Sequence, residues 1–316
     1  MGSKDAAAKA GGRAQYAQAD TGSGWEAVFL DPLGQVVQQR WADAVLAVAF
    51  EELEPVSAFP VVPGRRWGPG LWWSATTGRH VSCGSAAMRA QLMVLDRDPK
   101  VVGLAGRPVR VLWRDRRGQV RSWTPQLFAR YRDDTALLAD CPSRPETGGQ
   151  RALEAATVLQ AACAQAGWTY RRFEPLEDIL AANLKWLAGY RHPRNAGRLG
   201  LMPAVLEAFT RPRPLIEGAE AVGDPIEVLP AVFHALWHGQ LTTPLDVPLH
   251  ERALLSLGPG PGPGGQQPRP DSNTGTSTST GTGRSASSSA PAGDRPAADG
   301  AGGAARAAGR RRGGGR

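Results

Sequence analysis

Apolar and polar positions alternate with a readable period only between residues 24 and 257. Residues 25–31 and 36–41 read as two strands joined by a turn at Pro32-Leu33-Gly34. Residues 55–62 form a broken apolar run, and Trp67, Trp72 and Trp73 follow close together. From Ser85 the period becomes helical. Met88, Leu92 and Leu95 share one face, and the helix is expected to stop at Asp98-Pro99, because proline restricts the residue before it. Residues 109–114 alternate with a period of two, Arg116-Arg117-Gly118-Gln119 makes a turn, and residues 120–131 alternate again, with Trp123, Leu127 and Ala129 on one side. Asp133-Asp134 turns the chain into residues 135–141, an apolar run expected to be covered on both faces.

Leu153, Ala156, Leu159, Cys163 and Ala166 make one stripe of a long helix ended by Gly167. A short strand at 168–173 and a helix at 176–190 follow. The order helix, strand, strand, strand, helix, strand, helix predicts an α/β (α+β) protein, a mixed sheet with helices packed on it, preceded by β structure. Beyond His192-Pro193 the pattern changes to helices at 203–209 and 224–238, then short extended pieces within 241–255. Helices followed by a small β-ribbon are how a winged helix looks in sequence. The expected organisation is an arm at 1–23, a first domain at 24–193, a winged-helix-like domain at 194–257 and a tail at 258–316.

Composition sharpens those boundaries. The tail has 16 Gly and 7 Pro in 59 residues and no aromatic residue, too little apolar surface to offset chain entropy, so it is expected to be disordered. The chain carries a net charge of +8. The tail holds eight Arg against three Asp, a net +5, and residues 1–20 hold +1, which leaves +2 for residues 21–257. No apolar run reaches the roughly 18–20 residues of a membrane span, and no secretory h-region is present, so no membrane association is expected. Cys83, Cys141 and Cys163 are odd in number and widely spaced, which argues against a disulfide framework and suits a reducing cytoplasm.

Several motifs in order resemble those of the TnsA-like endonuclease subunits of heteromeric transposases. They are PGLWWSATTGRHVSCGS (69–85), LDRDP (95–99), TPQLFARYRDDTALLADC (124–141), ACAQAGWTYR (162–171), ANLKWLAGYRHPR (182–194) and DPIEVLPAVFHALWHGQL (224–241). The resemblance implies a restriction-endonuclease-like fold of the PD-(D/E)xK kind followed by a winged helix. It implies Mg²⁺-dependent cleavage of one DNA strand at each transposon end. It also implies an integrase-like transposase and an ATPase regulator as partners, in the cytoplasm and at the nucleoid.

Such chemistry needs carboxylates sharing Mg²⁺, which lowers the pKa of a bound water, and a cation to stabilise charge building on the phosphate. The family's Glu, three residues after a Ser, corresponds to Met88 after Ser85. Its Asp after a Pro corresponds to Gln126 after Pro125. The acid of its third strand corresponds to Asp140, and the basic residue two further on to Pro142. Only Asp140 is retained, so the expectation is a chain that keeps the fold without the nuclease activity and serves DNA or partner binding. The alternatives are an active nuclease with rearranged groups, drawing on Asp133, Asp134, Arg144 or Glu146, or a DNA-binding regulator outside transposition. Lys185, Arg191 and Arg194, with Arg198 beside them, are candidate phosphate contacts, as are Arg310, Arg311 and Arg312 in the tail. His234 and His238 share a helical face but lack a third metal ligand, and Cys141 reads as a buried structural thiol.

Overall fold

Asp31 ends the first strand by turning back on the chain. Its Oδ1 accepts from the N–H of Leu33 (2.9 Å) and of Gln35 (2.8 Å), while Gly34 takes a φ of 76°. The turn closes a hairpin of β1 (Glu26–Leu30) and β2 (Val36–Arg40). The computed structural model describes residues 24–61, 68–144 and 148–258. The arm at 1–23 and the tail beyond Gly258 lie outside the described residues, as do Trp67, Glu146, Arg310, Arg311 and Arg312.

Helix α1 (Trp41–Ala47) begins where the sequence pattern extends the strand to Trp41. The Trp41 ring turns inward at 1% exposure, and its Nε1–H donates to Ala162 O at 2.8 Å. A second hairpin, β3 (Gly70–Trp73) with β4 (His80–Cys83), leads into α2 (Ala86–Arg97). Ser85 caps α2, its Oγ accepting from Met88 N at 3.1 Å, and the helix stops before Asp98-Pro99 as the proline predicts.

Strand β5 (Val101–Gly106) follows, where the sequence pattern shows no strand. Its glycines hide it. A Cβ at Gly106 would run into Ser82 O, and one at Gly103 would meet the Glu51 side chain, so small residues are needed for close approach, not for a turn. Next come β6 (Arg110–Arg114), β7 (Val120–Trp123), β8 (Leu127–Tyr131) and β9 (Ala136–Asp140). The single strand expected at 120–131 is thus two. Pro125 breaks the ladder, β7 pairs with β6 and β8 pairs with β5 and β9, so the chain changes sheet at residues 124–126.

Helix α3 (Gly149–Gln165) is the crossover that brings β10 (Thr169–Arg172) parallel to β9. Its inward stripe differs from the expected one. Ala152, Ala155, Leu159, Ala162 and Cys163 are buried, whereas Leu153 is 55% exposed, because the small alanines let α3 lie close to the sheet. The central sheet runs β10-β9-β8-β5, and a second sheet runs β2-β1-β6-β7.

The central sheet is covered on both faces, as its apolar strand β9 predicts. One face, with Leu127, Ala129, Leu137, Ala139 and Cys141, packs against Met88, Leu92 and Leu95 of α2. The other, with Phe128, Ala136 and Leu138, packs against Trp41, Phe50, Leu159 and Trp168. The first core continues past residue 193. It takes in α4 (Asp178–Leu187), α5 (Leu201–Ala208), α6 (Leu215–Glu220), α7 (Pro225–Trp237) and a small sheet in which β13 (Leu254–Leu257) lies between β11 (Arg213–Pro214) and β12 (Leu241–Thr242). The fold is therefore mixed α/β. Among the described residues no helix is long and apolar enough to cross a membrane.

Candidate functional site

The residues at the positions implied by the resemblance, Met88, Gln126, Asp140 and Pro142, lie on α2, on the loop before β8 and at the end of β9. Strand alternation decides where each points. Met88 is fully buried, against the face that carries Ala139 and Cys141. Its Sδ accepts from Gly84 N at 3.4 Å. Asp140 is one residue out of phase and faces the opposite side, toward Trp123 and Tyr170. The sheet separates the two positions that a shared metal would have to join.

Asp140 is only 4% exposed, and protein donors hold its carboxylate. Oδ2 accepts from Trp123 Nε1–H (2.7 Å) and Tyr170 O–H (2.7 Å), and Oδ1 from Gln126 N–H (3.2 Å). Burial pushes the Asp140 carboxyl above its ordinary range, although these three donors oppose the shift. The Tyr170 hydroxyl is pushed up by burial and by the adjoining carboxylate. The Gln126 side chain is committed as well, since its Oε1 accepts from Cys141 N–H at 2.9 Å. Pro142 stands two residues after the last residue of β9 and is buried, and its missing N–H keeps the strand from running on. Burial drives the neighbouring Cys141 thiol far up, which makes it an inert structural thiol.

A cation occupies this end of the sheet instead. Arg107, in the left-handed region at φ 53°, donates its N–H to Gln126 O at 3.1 Å. Its Nη2 donates to Ser57 Oγ at 2.9 Å, its guanidinium lies 5.1 Å from the Phe59 ring centroid, and its buried Nε has no hydrogen-bond partner. Burial lowers its pKa, Arg110 lowers it further, and Asp140 raises it. One carboxylate already held by three protein donors, with a thioether, a committed amide, a proline and a guanidinium around it, is the wrong donor set for Mg²⁺, which takes several hard oxygen ligands. Among the described residues no three His, Cys, Asp or Glu side chains cluster as a metal site. Asp133 and Asp134 sit in the β8–β9 turn, beyond the far end of β9 from Asp140, whose four strand steps alone span roughly 13 Å. Arg144 is exposed beyond Pro142.

The sequence motifs meet elsewhere, around Asp96. This α2 carboxylate is 5% exposed. Oδ1 accepts from Ser74 Oγ–H (2.6 Å) and Thr76 N–H (2.9 Å), and Oδ2 from Trp72 Nε1–H (2.9 Å) and Ala75 N–H (3.0 Å). The WWSATT and LDRDP motifs are thus two halves of one hydrogen-bonded corner. Arg191 closes it. Its guanidinium lies 4.0 Å from the Trp72 ring centroid, Nε donates to Trp73 O at 2.8 Å, and Nη1 donates to Ala188 O. The Arg191 side chain therefore works inside the protein. Lys185 and Arg194 remain on the exposed surface.

The rings of His234 and His238 of α7 lie with centroids 4.3 Å apart, tilted 55° to each other. Each ring N–H donates to a carbonyl of the preceding linker, His234 Nδ1 to Tyr190 O (2.8 Å) and His238 Nε2 to Arg191 O (3.2 Å). Burial depresses both pKa values below the ordinary 6.5. Depressed histidines contribute stability that is full above the unfolded value and is lost as pH falls through the folded one. The wild-type urea midpoint is therefore expected to fall between about pH 7 and pH 5 more steeply than that of a His234→Gln, His238→Gln double variant. Parallel profiles would contradict this account.

No protein-family model matches the chain, and no curated protein is significantly similar to it.

Proposed function

We propose that this chain is a non-catalytic, TnsA-like subunit of a DNA transposition complex. In this reading it holds DNA or partner subunits, an integrase-like transposase and an ATPase regulator, and leaves strand cleavage to others. The element order supports the reading. A helix (α2), a strand (β5), two further antiparallel strands (β8 and β9), a crossover helix (α3) and a parallel strand (β10) follow in the sequence expected for a restriction-endonuclease-like core, with the β6–β7 ribbon inserted. The α5–α7 helices with the three-stranded β11-β13-β12 sheet suit a winged helix.

The observation that carries the non-catalytic half is the use of Asp140. Its oxygens are taken by Trp123, Tyr170 and Gln126 on the sheet face opposite Met88, so the one acid the resemblance retains serves packing. Supercoiled plasmid incubated with the protein and Mg²⁺ or Mn²⁺ is expected to stay closed. Metal-dependent nicking that disappears in a folded Asp140→Asn variant would overturn the proposal.

A further inference from the structure

Two stretches of the described region each carry a net +4: residues 185–198, with Lys185, Arg191, Arg194 and Arg198 and no acid, and the ribbon made by β6 and β7. Between Arg110 and Arg121 lie five Arg and one Asp, a net +4. Residues 21–257 total +2, so everything outside this ribbon sums to −2. The ribbon differs in having two adjacent exposed arginines at its turn, Arg116 and Arg117, which strengthens the local field there and favours one docking orientation.

The ribbon's tip is built to hold one shape. Asp115 N–H donates to Gln119 O and Gly118 N–H to Asp115 O, both at 2.9 Å, with Gly118 at φ 72°. The Asp115 carboxylate is spent inside the turn. Oδ1 accepts from Arg117 N–H (2.9 Å) and Gln119 N–H (3.0 Å), and Oδ2 from Arg121 Nε–H (2.8 Å). Arg114 Nη1 donates back to Gly118 O at 2.9 Å. The backbone N–H of Gln119, more than any other group, holds the Asp115 carboxyl below its usual range, so it stays ionised and keeps the turn closed. The one acid of the ribbon thus serves the turn and Arg121, while Arg116 and Arg117 stand exposed at the tip.

The dimensions suit a duplex. Pairing of β6 with β1 ends at Leu112, so Trp113 and Arg114 pair only with Arg121 and Val120 of β7, the outermost strand of its sheet, and residues 113–121 form a two-stranded ribbon end. A two-stranded ribbon fits the DNA major groove, about 12 Å wide, and arginines at its tip and edge would meet the flanking phosphates. We infer that the β6–β7 ribbon is a duplex-DNA arm, with Arg116 and Arg117 contacting the phosphate backbone. This rests on the DNA-binding reading above and locates that binding on a surface no motif in the sequence analysis assigned to it.

The test uses the full chain and a labelled random-sequence duplex of about 30 base pairs, with fluorescence anisotropy read across a KCl series. Arg116→Ala, Arg117→Ala is expected to weaken binding about tenfold and to flatten the log K against log [KCl] slope by about 1.8, two phosphates at about 0.9 each. Arg116→Lys, Arg117→Lys is expected to keep the slope. An Arg310→Ala, Arg311→Ala, Arg312→Ala variant reports on the tail separately. Duplex binding with an unchanged slope in the Arg116→Ala, Arg117→Ala variant would overturn the ribbon assignment and leave the DNA-binding reading standing. Absence of duplex binding by the wild-type chain would overturn both. Equal loss on single-stranded RNA of the same length, with tighter wild-type binding to it, would overturn duplex DNA as the partner.

Discussion

Asp96→Ala is expected to lower the unfolding free energy by about 3–5 kcal/mol, the largest effect of any single side-chain truncation considered for this protein. The carboxylate collects four donors from one segment, Trp72 Nε1, Ser74 Oγ, Ala75 N and Thr76 N. Removing it leaves these groups buried or half-buried with no acceptor, at about 1 kcal/mol or more each. The corner they form also seats Arg191 against Trp72, and Arg97 beside it donates twice to Leu236 O, by Nε at 3.2 Å and Nη2 at 3.1 Å. At roughly 2–4 °C per kcal/mol for a chain of this size, the melting temperature drops by roughly 6–20 °C. Asp96→Asn falls between the two, because its amide nitrogen turns one acceptor into a donor facing other donors. Circular dichroism melts decide it. An Asp96→Ala protein melting within about a degree of wild type would refute the role given to this corner.

The second large effect belongs to Asp140, and its signature is in pH. Asp140→Ala strands Trp123 Nε1, Tyr170 O–H and Gln126 N and is expected to cost about 2–4 kcal/mol. Asp140→Asn keeps the shape without the charge. Burial raises the folded-state pKa of Asp140 above its unfolded value near 3.8. An acid shifted upward contributes stability that is full below the unfolded pKa and is lost as pH rises through the folded one, because the native state holds its proton longer. The wild type should therefore lose ground relative to Asp140→Asn as pH rises from about 4 toward neutrality. Urea titrations of both proteins over that range give the difference directly. A gap between them that stays constant with pH would contradict the desolvation account.

Helix α2 was legible because three signals agree: the Met88, Leu92, Leu95 stripe, the capping Ser85 and the Pro99 stop. Strand β9 was legible as an apolar run too short for a helix. Strand β5 was not, because Gly103 and Gly106 serve contacts with Glu51 and Ser82 that no local pattern encodes. Strands β7 and β8 merged into one because alternation runs straight through Pro125, whose real effect is to hand the chain from one sheet to the other. The direction of Asp140 could have been read from alternation alone, since Ala139 and Cys141 flank it on the face where α2 packs. Asp96 also left a trace. It falls four residues after Leu92, on the buried stripe, where a charge needs partners. Which partners those are depends on a hairpin some twenty residues earlier, beyond the reach of any local period. The basic ribbon escaped notice for a different reason: its charge vanishes into the near-neutral total of the region around it.

The core that joins α2 to α7 has a consequence for synthesis. Trp72, near the start of the fold, is covered by Trp237, whose ring centroid lies 6.3 Å away and whose own side chain is fully buried. During translation Trp72, Leu92 and Leu187 wait for α7, whose last residue, Trp237, is made 50 residues or more after them. A nascent chain stopped near residue 193 holds both main sheets but presents an open apolar face, the kind of surface that holdase chaperones recognise. Completion of this core is thus timed by the arrival of α7 at the ribosome exit.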